Sequence, residues 1–509
     1  MEQTKINGSL DENISIVQSM LGDSDDLVIR QFQFGSERSF HAALFYIDGM
    51  VDTASIQNFL LETLMIDLPK TMLSWELDRS DGVLHFLKES VMTVGDIQEV
   101  CDVNSLFTFL LSGYCVFLLD GYDEGFAVGM IGWEERSVTE PSGETVIRGP
   151  REGFTENLRT NTSLIRRRIK DPRLWIEIRR IGNVTHTDVA IAYIKGIAND
   201  KVVEEVRRRL DRICIDSILE TGYIEELIQD ETFTPFPTMN NTERPDVATA
   251  ELVEGRVIIL VDGTPFVLVA PALFVGFFQA AEDYYQRADI STLLRGLRYV
   301  SFFIALLGPS LYIAITTFHQ EMLPTQLLIS LAAQREGVPF PAFFEALLME
   351  VTFEILREAG VRMPKAIGQA VSIVGTLVIG TAAVDAGIVS AAMVIVVSIT
   401  AIASFVLPAF NMSIAVRMLR FPLMALAASF GIFGVIVGLL LLVLHLCSLR
   451  SFGVPYMSPL APLNIQDQKD TLLRLPHWAL RTRPHLISQN NIVRAQNKPT
   501  RKPKRRGNQ

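Results

Sequence analysis

FPLMALAASFGIFGVIVGLLLLVL, residues Phe421 to Leu444, carries no Lys, Arg, Asp or Glu. A helix needs about 20 mostly apolar residues to cross the hydrocarbon core of a bilayer, so this run is long enough to span it. Working back along the chain, Tyr299 to Phe318, Ile367 to Val384 and Gly387 to Asn411 also lack Lys and Arg, and only Asp385, between the second and third runs, interrupts them with an acid. A soluble core does not sustain this pattern. The sequence predicts an α/β soluble domain followed by an α-helical multi-span membrane domain.

Composition supports two solvents. Of 509 residues, 49% are hydrophobic and 20% charged, and the mean hydropathy is +0.28. Charge and turn residues concentrate before Asp289. The N-terminus, Met1-Glu2-Gln3-Thr4-Lys5, shows no basic stretch followed by an apolar one, so the soluble part is expected to be cytoplasmic. Cys101, Cys115, Cys214 and Cys447 are widely spaced and form no CxxC, which suits a reducing compartment without disulfides or a zinc site. The net charge of -11 hides a basic tail, Arg494, Lys498, Arg501, Lys502, Lys504, Arg505 and Arg506. That tail either touches anionic lipid headgroups or is solvated and disordered.

In the soluble half, the strand-like runs Ala42 to Ile47 and Ala190 to Ile194 each end in a turn and lead into a helical pattern, Thr53 to Leu64 and Lys201 to Leu210. Val116-Phe117-Leu118-Leu119-Asp120-Gly121 then resembles Val257-Ile258-Ile259-Leu260-Val261-Asp262-Gly263, and each continues through its Asp-Gly turn into another apolar strand. Strand, helix, hairpin thus occurs twice. We place two similar α/β subdomains at residues 1–140 and 141–289, a membrane domain at 296–446 and a C-terminal segment with a disordered basic tail at 447–509.

Between the subdomains lies a basic patch that includes Gly149-Pro150-Arg151-Glu152-Gly153-Phe154 and Asn161-Thr162-Ser163-Leu164-Ile165-Arg166-Arg167-Arg168. Glycines beside arginines can cradle an anion. Neither GxxxxGK[ST] nor GxGxxG opens a helix here, so joining subdomains or subunits is the preferred reading.

In the membrane half, Gly368, Ser372, Thr376 and Gly380 recur every four residues and share one helical face. That face is read either as tight packing or as the lining of a pore. Gly434 and Gly438 form a GxxxG pair assigned to helix packing. Between the first two apolar runs, Glu350, Glu354 and Glu358 share a face that Arg357 and Arg362 neutralise only in part. Those acids are expected either in water at the membrane surface or as a cation-attracting face beside a pathway. Four spans plus one interfacial or re-entrant helix leave Arg417 and Arg420 in an outer loop and return the tail to the cytoplasm; five spans reverse both.

A search for chemistry finds no catalytic constellation, no metal site and no cofactor motif. The seven histidines show no HExxH, and no serine sits in a GxSxG elbow. Four spans without an internal repeat do not suggest a carrier.

Several motifs carry a family resemblance. Arg298 to Tyr312, His319-Gln320-Glu321-Met322-Leu323-Pro324, Arg357-Glu358-Ala359-Gly360-Val361-Arg362-Met363-Pro364 and Pro455-Tyr456-Met457-Ser458-Pro459-Leu460-Ala461-Pro462 resemble the GerA family of spore germination proteins. Gly149 to Phe154, Asn161 to Arg168 and Arg244-Pro245-Asp246-Val247-Ala248 fit the same family, so the likeness runs from about Ile147 to Arg494. It implies the A-type subunit of a nutrient germinant receptor in the inner membrane of a bacterial spore, not an enzyme. The implied partners are a transporter-like B subunit and a lipoprotein C subunit, with no nucleic acid. The resemblance also implies a homo-oligomer ring enclosing a ligand-gated ion channel, which raises Ser372 and Thr376 as pore residues. A subunit of an accessory spore channel that amplifies ion release, or a non-conducting scaffold, are the alternatives.

Overall fold

The computed structural model describes residues 5–34, 40–57, 96–132, 141, 143–144, 146–362, 380–489 and 491–494. The chain divides into two units. One holds Met1–Gln229, Met239–Pro271 and Thr482–Ala495; the other holds Asp230–Thr238, Ala272–Arg481 and the C-terminal end.

The first unit contains two five-stranded antiparallel sheets. Strands β1 (Leu27–Phe34), β2 (Phe40–Ile47), β3 (Ile97–Val100), β4 (Tyr114–Leu119) and β5 (Gly125–Gly129) pair in the order β1-β2-β4-β5-β3. Strands β6 (Leu174–Ile181), β7 (Thr187–Ile194), β8 (Asn240–Thr242), β9 (Val257–Val261) and β10 (Val267–Ala270) pair in the order β6-β7-β9-β10-β8. The two orders are the same. Because successive side chains of a strand point to opposite faces, Leu44, Cys115, Phe117 and Leu119 form a core on one side of the first sheet. Ala43, Phe45, Val116 and Leu118 form another on the opposite side, with helices α1 (Leu10–Leu21) and α2 (Val103–Leu110).

The repeat extends to single hydrogen bonds. In the first half the Asp120 carboxylate accepts from the backbone N–H of Leu10 at 3.0 Å, and Gly121 N–H donates to Gly8 O at 2.8 Å. In the second half Asp262 accepts from Leu158 N–H at 3.0 Å, at the start of α3 (Leu158–Arg168), and Gly263 N–H donates to Glu156 O at 2.7 Å. Asn13 and Asn161 each close the turn before their helix, accepting from Asn7 N–H and Thr155 N–H and donating to the same residues' carbonyls. Each Asp-Gly turn therefore satisfies N–H groups that a helix start leaves open. The expected helix at Lys201 to Leu210 is α4, Asp200–Leu210. The other, at Thr53, is helical over Thr53–Ser55, and its positions from 58 onward lie outside the described residues.

The basic patch joins the two sheets' halves. Arg166, with its side chain fully buried, binds both carboxylate oxygens of Asp26, at 2.7 and 2.9 Å, and the Ser24 hydroxyl at 3.3 Å. Ser24 and Asp25 also bond the edge of β6, where Ile176 N–H donates to Ser24 Oγ and Asp25 N–H to Ile176 O. Bidentate guanidinium–carboxylate geometry fixes orientation as well as distance, which suits a joint.

The second unit is helical. Helices α5 (Thr221–Ile228) and α6 (Pro245–Glu254) complete the first unit; α7 (Ala288–Phe318), α8 (Thr325–Arg335), α9 (Ala342–Arg362), α10 (Ala391–Phe405) and α11 (Phe410–Ser448) follow. By length and composition α7 and α11 are long and apolar enough to cross a membrane, α11 only when counted as one helix. The helix α11 is interrupted at Gly431, whose φ of 62° and ψ of −144° are non-helical and open to glycine alone among residues. Beyond it the chain doubles back: a β-carbon on Gly438 would lie 2.6 Å from Leu423 Cδ2, and one on Gly434 would strike the Leu426 carbonyl. In a straight helix positions 423 and 438 are about 22 Å apart at 1.5 Å per residue. Two limbs, 410–430 and 432–448, therefore pack against each other.

The four apolar runs fare differently. Tyr299 to Phe318 lies within α7 and Phe421 to Leu444 within α11. Gly387 to Asn411 yields the 15-residue α10, about 22 Å long and short of a full crossing, and its last two residues open α11. Ile367 to Val384 lies outside the described residues but for a short helix, Gly380–Asp385.

Candidate functional site

Helix α9 presents four carboxylates, Glu345, Glu350, Glu354 and Glu358, to different depths of the helical unit. Glu350 is 2% exposed and pairs with Arg420. Glu354 pairs with Arg417 at 2.8 Å and, more loosely, with Arg357 at 3.7 Å. Glu358 is mostly exposed and pairs with Arg362 at 2.7 Å, one helical turn on. The acids at Glu350 and Glu354, expected to face water or attract cations, are thus taken up by arginines of the 410–430 limb. Arg417 and Arg420 are helical and inward-facing here, not loop residues.

The arginines also hold other helices. Arg420 Nε donates to the Ala305 carbonyl of α7 at 2.8 Å, and Arg357 donates to Ser404 Oγ of α10 at 2.9 Å. The Arg357 guanidinium lies 4.6 Å from the centre of the Phe405 ring, within range of a cation–π attraction. One turn deeper in sequence, Glu345 is fully buried and accepts from Ser390 N–H at 3.1 Å and Ser390 Oγ at 2.9 Å, with Arg335 Nε at 3.3 Å. Since Ser390 Oγ caps α10 by accepting from Met393 N–H, Glu345 adds negative charge at that helix start, where the dipole favours it. A charged ladder therefore ties α9 to α7, α10 and α11. Buried charges cost several kcal/mol each unless paired in this way.

Of the small-residue stripe, Gly368, Ser372 and Thr376 lie outside the described residues. Gly380 is half-buried, and a β-carbon there would make ordinary contact with Val394 Cγ1 at 3.8 Å. Gly434 and Gly438 lie where the two limbs of α11 meet. Sequence reasoning did not bring Glu345, Ser390, Arg417 and Arg420 to the site. A signal existed, since Arg417 and Arg420 are three apart and Glu350 and Glu354 four apart, spacings that put each pair on one helical face.

The base of α7 carries a second cluster. Fully buried Arg295 binds Asp283 Oδ2 at 3.1 Å and Asp470 at 2.9 Å, and Arg298 reaches Asp283 at 2.7 Å. This clasp fixes the segment after α11 to the start of α7. In the first unit, burial, then the Glu220 carboxylate, pushes the Glu225 carboxyl on α5 up to about 7. Burial also pushes Glu144 up to about 7, against the Thr242 hydroxyl, which donates to it at 2.7 Å, and Arg244.

Comparison with known proteins adds identity to this geometry. The family model described as Bacillus/Clostridium GerA spore germination protein matches residues 15–486. Spore germination protein KA of Bacillus subtilis (strain 168) is 53% identical over 489 residues, covering 96% of this chain and 88% of that one. The protein named Uncharacterized membrane protein YfkQ, from the same organism, is 46% identical, covering 96% of this chain and 93% of its own. The crystal structure of the N-terminal domain of the A subunit of the Bacillus megaterium spore germinant receptor GerK3 is 43% identical to the matching part. It covers 54% of this chain and 99% of that one, with a TM-score of 0.43. With the family model spanning both units and full-length relatives well above 30% identity, this chain belongs to the GerA family of spore germination proteins.

Proposed function

We propose that this chain is the A-type subunit of a nutrient germinant receptor in the inner membrane of a bacterial spore, and that its helical unit crosses that membrane several times. The observation that carries the reading is the 53% identity to Spore germination protein KA, which runs through both units. The distribution of polarity in the helical unit supports the membrane part. Ile395, Ile399, Ile402 and Phe405 of α10 and Phe433, Ile436, Leu440 and Leu444 of α11 point outward, more than half their surfaces or nearly so exposed, while Glu345, Glu350 and Arg420 are buried. Apolar outside and charged inside is the arrangement lipid favours, because ionisable groups in a bilayer turn inward and pair.

On this reading the subunit assembles with copies of itself into a ring that conducts cations, beside a transporter-like B subunit and a lipoprotein C subunit. Gly368, Ser372, Thr376 and Gly380 offer the lining, and the ladder on α9 holds the helices around it. Deletion of the gene in a sporulating strain tests the proposal: spores exposed to separate nutrients should lose cation release to at least one of them. Unchanged release to every nutrient would refute a receptor role and favour the accessory channel. Purified protein in liposomes should pass ions only when assembled with its partners; saturable solute exchange would refute a channel.

A further inference from the structure

The start of α7 is inside out. Ser291, Arg295 and Arg298 are buried, while Leu293, Leu297 and Val300, each two positions further on and so on the opposite side of the helix, are more than half exposed. The outward stripe continues into Phe303 of the uncharged run Tyr299 to Phe318. At 1.5 Å per residue that run is about 30 Å long and fills a hydrocarbon core by itself. On the membrane placement proposed above, the residues just before Tyr299 therefore lie beyond the core, in the headgroup layer that extends about 5–8 Å past it.

The chain after α11 is pinned to this stretch. Asp470 takes Arg295 at 2.9 Å and the Tyr284 hydroxyl at 2.7 Å, and Thr292 Oγ1 donates to the Arg474 carbonyl and accepts from its N–H, both at 3.2 Å. Arg295 precedes Tyr299 by four residues and Thr292 by seven, about 6 and 10 Å along the axis, so the pins fall within the headgroup layer and at its outer edge. A segment held this firmly still turns large apolar side chains outward: Leu463 and Ile465 are more than two-thirds exposed, and Leu472, Leu473 and Trp478 about half. Charge points the same way, because no Asp or Glu follows Asp470 while Arg481, exposed, and the basic residues from Arg494 onward do. Leucines, a tryptophan and an excess of arginine and lysine are what the surface of an anionic leaflet attracts. We propose that residues 463–478, with the outward face of α7 from Leu293 to Val300, form a collar lying in the headgroup layer of the bilayer, its apolar side chains at the acyl boundary. The inference rests on that membrane placement. The irregular backbone of the collar fits this depth, where water reaches its N–H and C=O groups, and would not fit the core.

The test uses the full chain in vesicles containing phosphatidylglycerol, with the exposed Cys101, Cys214 and Cys447 replaced by serine and a bimane fluorophore attached at Leu473→Cys, an exposed position where the substitution leaves the pins intact. A phospholipid with a nitroxide high on its acyl chain should quench most of the emission, and aqueous iodide little of it. Quenching by iodide alone would place the segment in solvent and overturn the collar. Shielding from both quenchers would mean that protein covers it, a second copy of the chain being the rival occupant, and would overturn the collar equally. The same label at Leu440→Cys, outward on α11, separates the two claims against a lipid with its nitroxide at the acyl end. Quenching at 440 without quenching at 473 overturns the collar alone; no quenching by lipid at either position overturns the membrane placement with it.

Discussion

Replacing Arg420 with Met removes the guanidinium that pairs with Glu350 and bonds the Ala305 carbonyl at 2.8 Å, leaving a carboxylate that is 2% exposed without its cation. Breaking a buried pair from one side costs about 3–5 kcal/mol, mostly from the charge left behind. Glu350→Leu alone should cost a similar amount, because Arg420 is equally buried. The double variant should be far milder, since two apolar side chains of similar volume replace the pair and neither charge is stranded. The coupling energy of the cycle is then about 3 kcal/mol in favour of the pair. Thermal unfolding of the purified full chain in detergent reads this out. At about 2–4 °C per kcal/mol for a unit of this size, each single variant should melt roughly 10 °C lower and the double variant only a few degrees lower. If the double variant loses as much as the two singles summed, Glu350 and Arg420 act independently and the ladder is no coupled unit.

Other consequences are open to measurement. Gly431→Ala forces a β-carbon into a conformation reserved for glycine and against His319, and should cost about 1–3 kcal/mol, read as a lower melting temperature; an unchanged melt would mean the limbs do not turn there. Arg166→Met strands buried Asp26 and should raise hydrogen exchange at Ile176 and Leu27 on both sides of the joint, by about 3 kcal/mol; protection unaltered at either strand would remove Arg166 from the joint. Because the folded carboxyl of Glu225 titrates near 7, above its unfolded value, its contribution is full below about pH 4.5 and is lost as pH rises through 7. The first unit should therefore lose stability from pH 5 to 8, with Glu144 contributing alongside, and Glu225→Gln should lose about 2 kcal/mol less than the parent over that range, followed by exchange of its amides. Single cysteines placed at Ser9 and at Gln489 should react with an impermeant reagent from the same face of sealed vesicles; reaction from opposite faces would contradict the shared unit.

Much of the first unit was legible because its central strands are unbroken apolar runs punctuated by Asp-Gly. Val257–Val261 is buried at every position, and so reads plainly. The outer strands β1 and β6 were not legible. Arg30 and Gln31, and Glu177, Arg179 and Arg180, sit on half-exposed edges whose charge masks the alternation. In the helical unit, hydropathy located α7 and the second limb of α11. It misplaced the start of α11, because Arg417 and Arg420 look like loop residues until a partner helix supplies Glu354 and Glu350. The turn at Gly431 was hidden for a different reason: the sequence is equally apolar on both sides, so composition carries no mark of a reversal. Only the GxxxG of Gly434 and Gly438 signalled that a second backbone passes close by.

The path of the chain constrains what the helical unit can be. Residues 272–481 belong to it, yet Thr482–Ala495 return to the first unit, where Arg483 Nε donates to the Val253 carbonyl at 2.7 Å and Ser488 Oγ to the Ile197 carbonyl at 2.8 Å. A bilayer cannot separate two parts of one folded unit, so a chain that enters it after Pro271 must cross an even number of times before Thr482. The doubling of α11 at Gly431 bears directly on that count, because a chain that turns back there heads toward the side it came from, where an unbroken helix would not. It also makes sense of the arginines: on a limb packed within the helical unit, Arg420 is buried and Arg417 mostly so, and the carboxylates of α9 pair with both. The ladder thus lets a charged limb pack inside the helical unit.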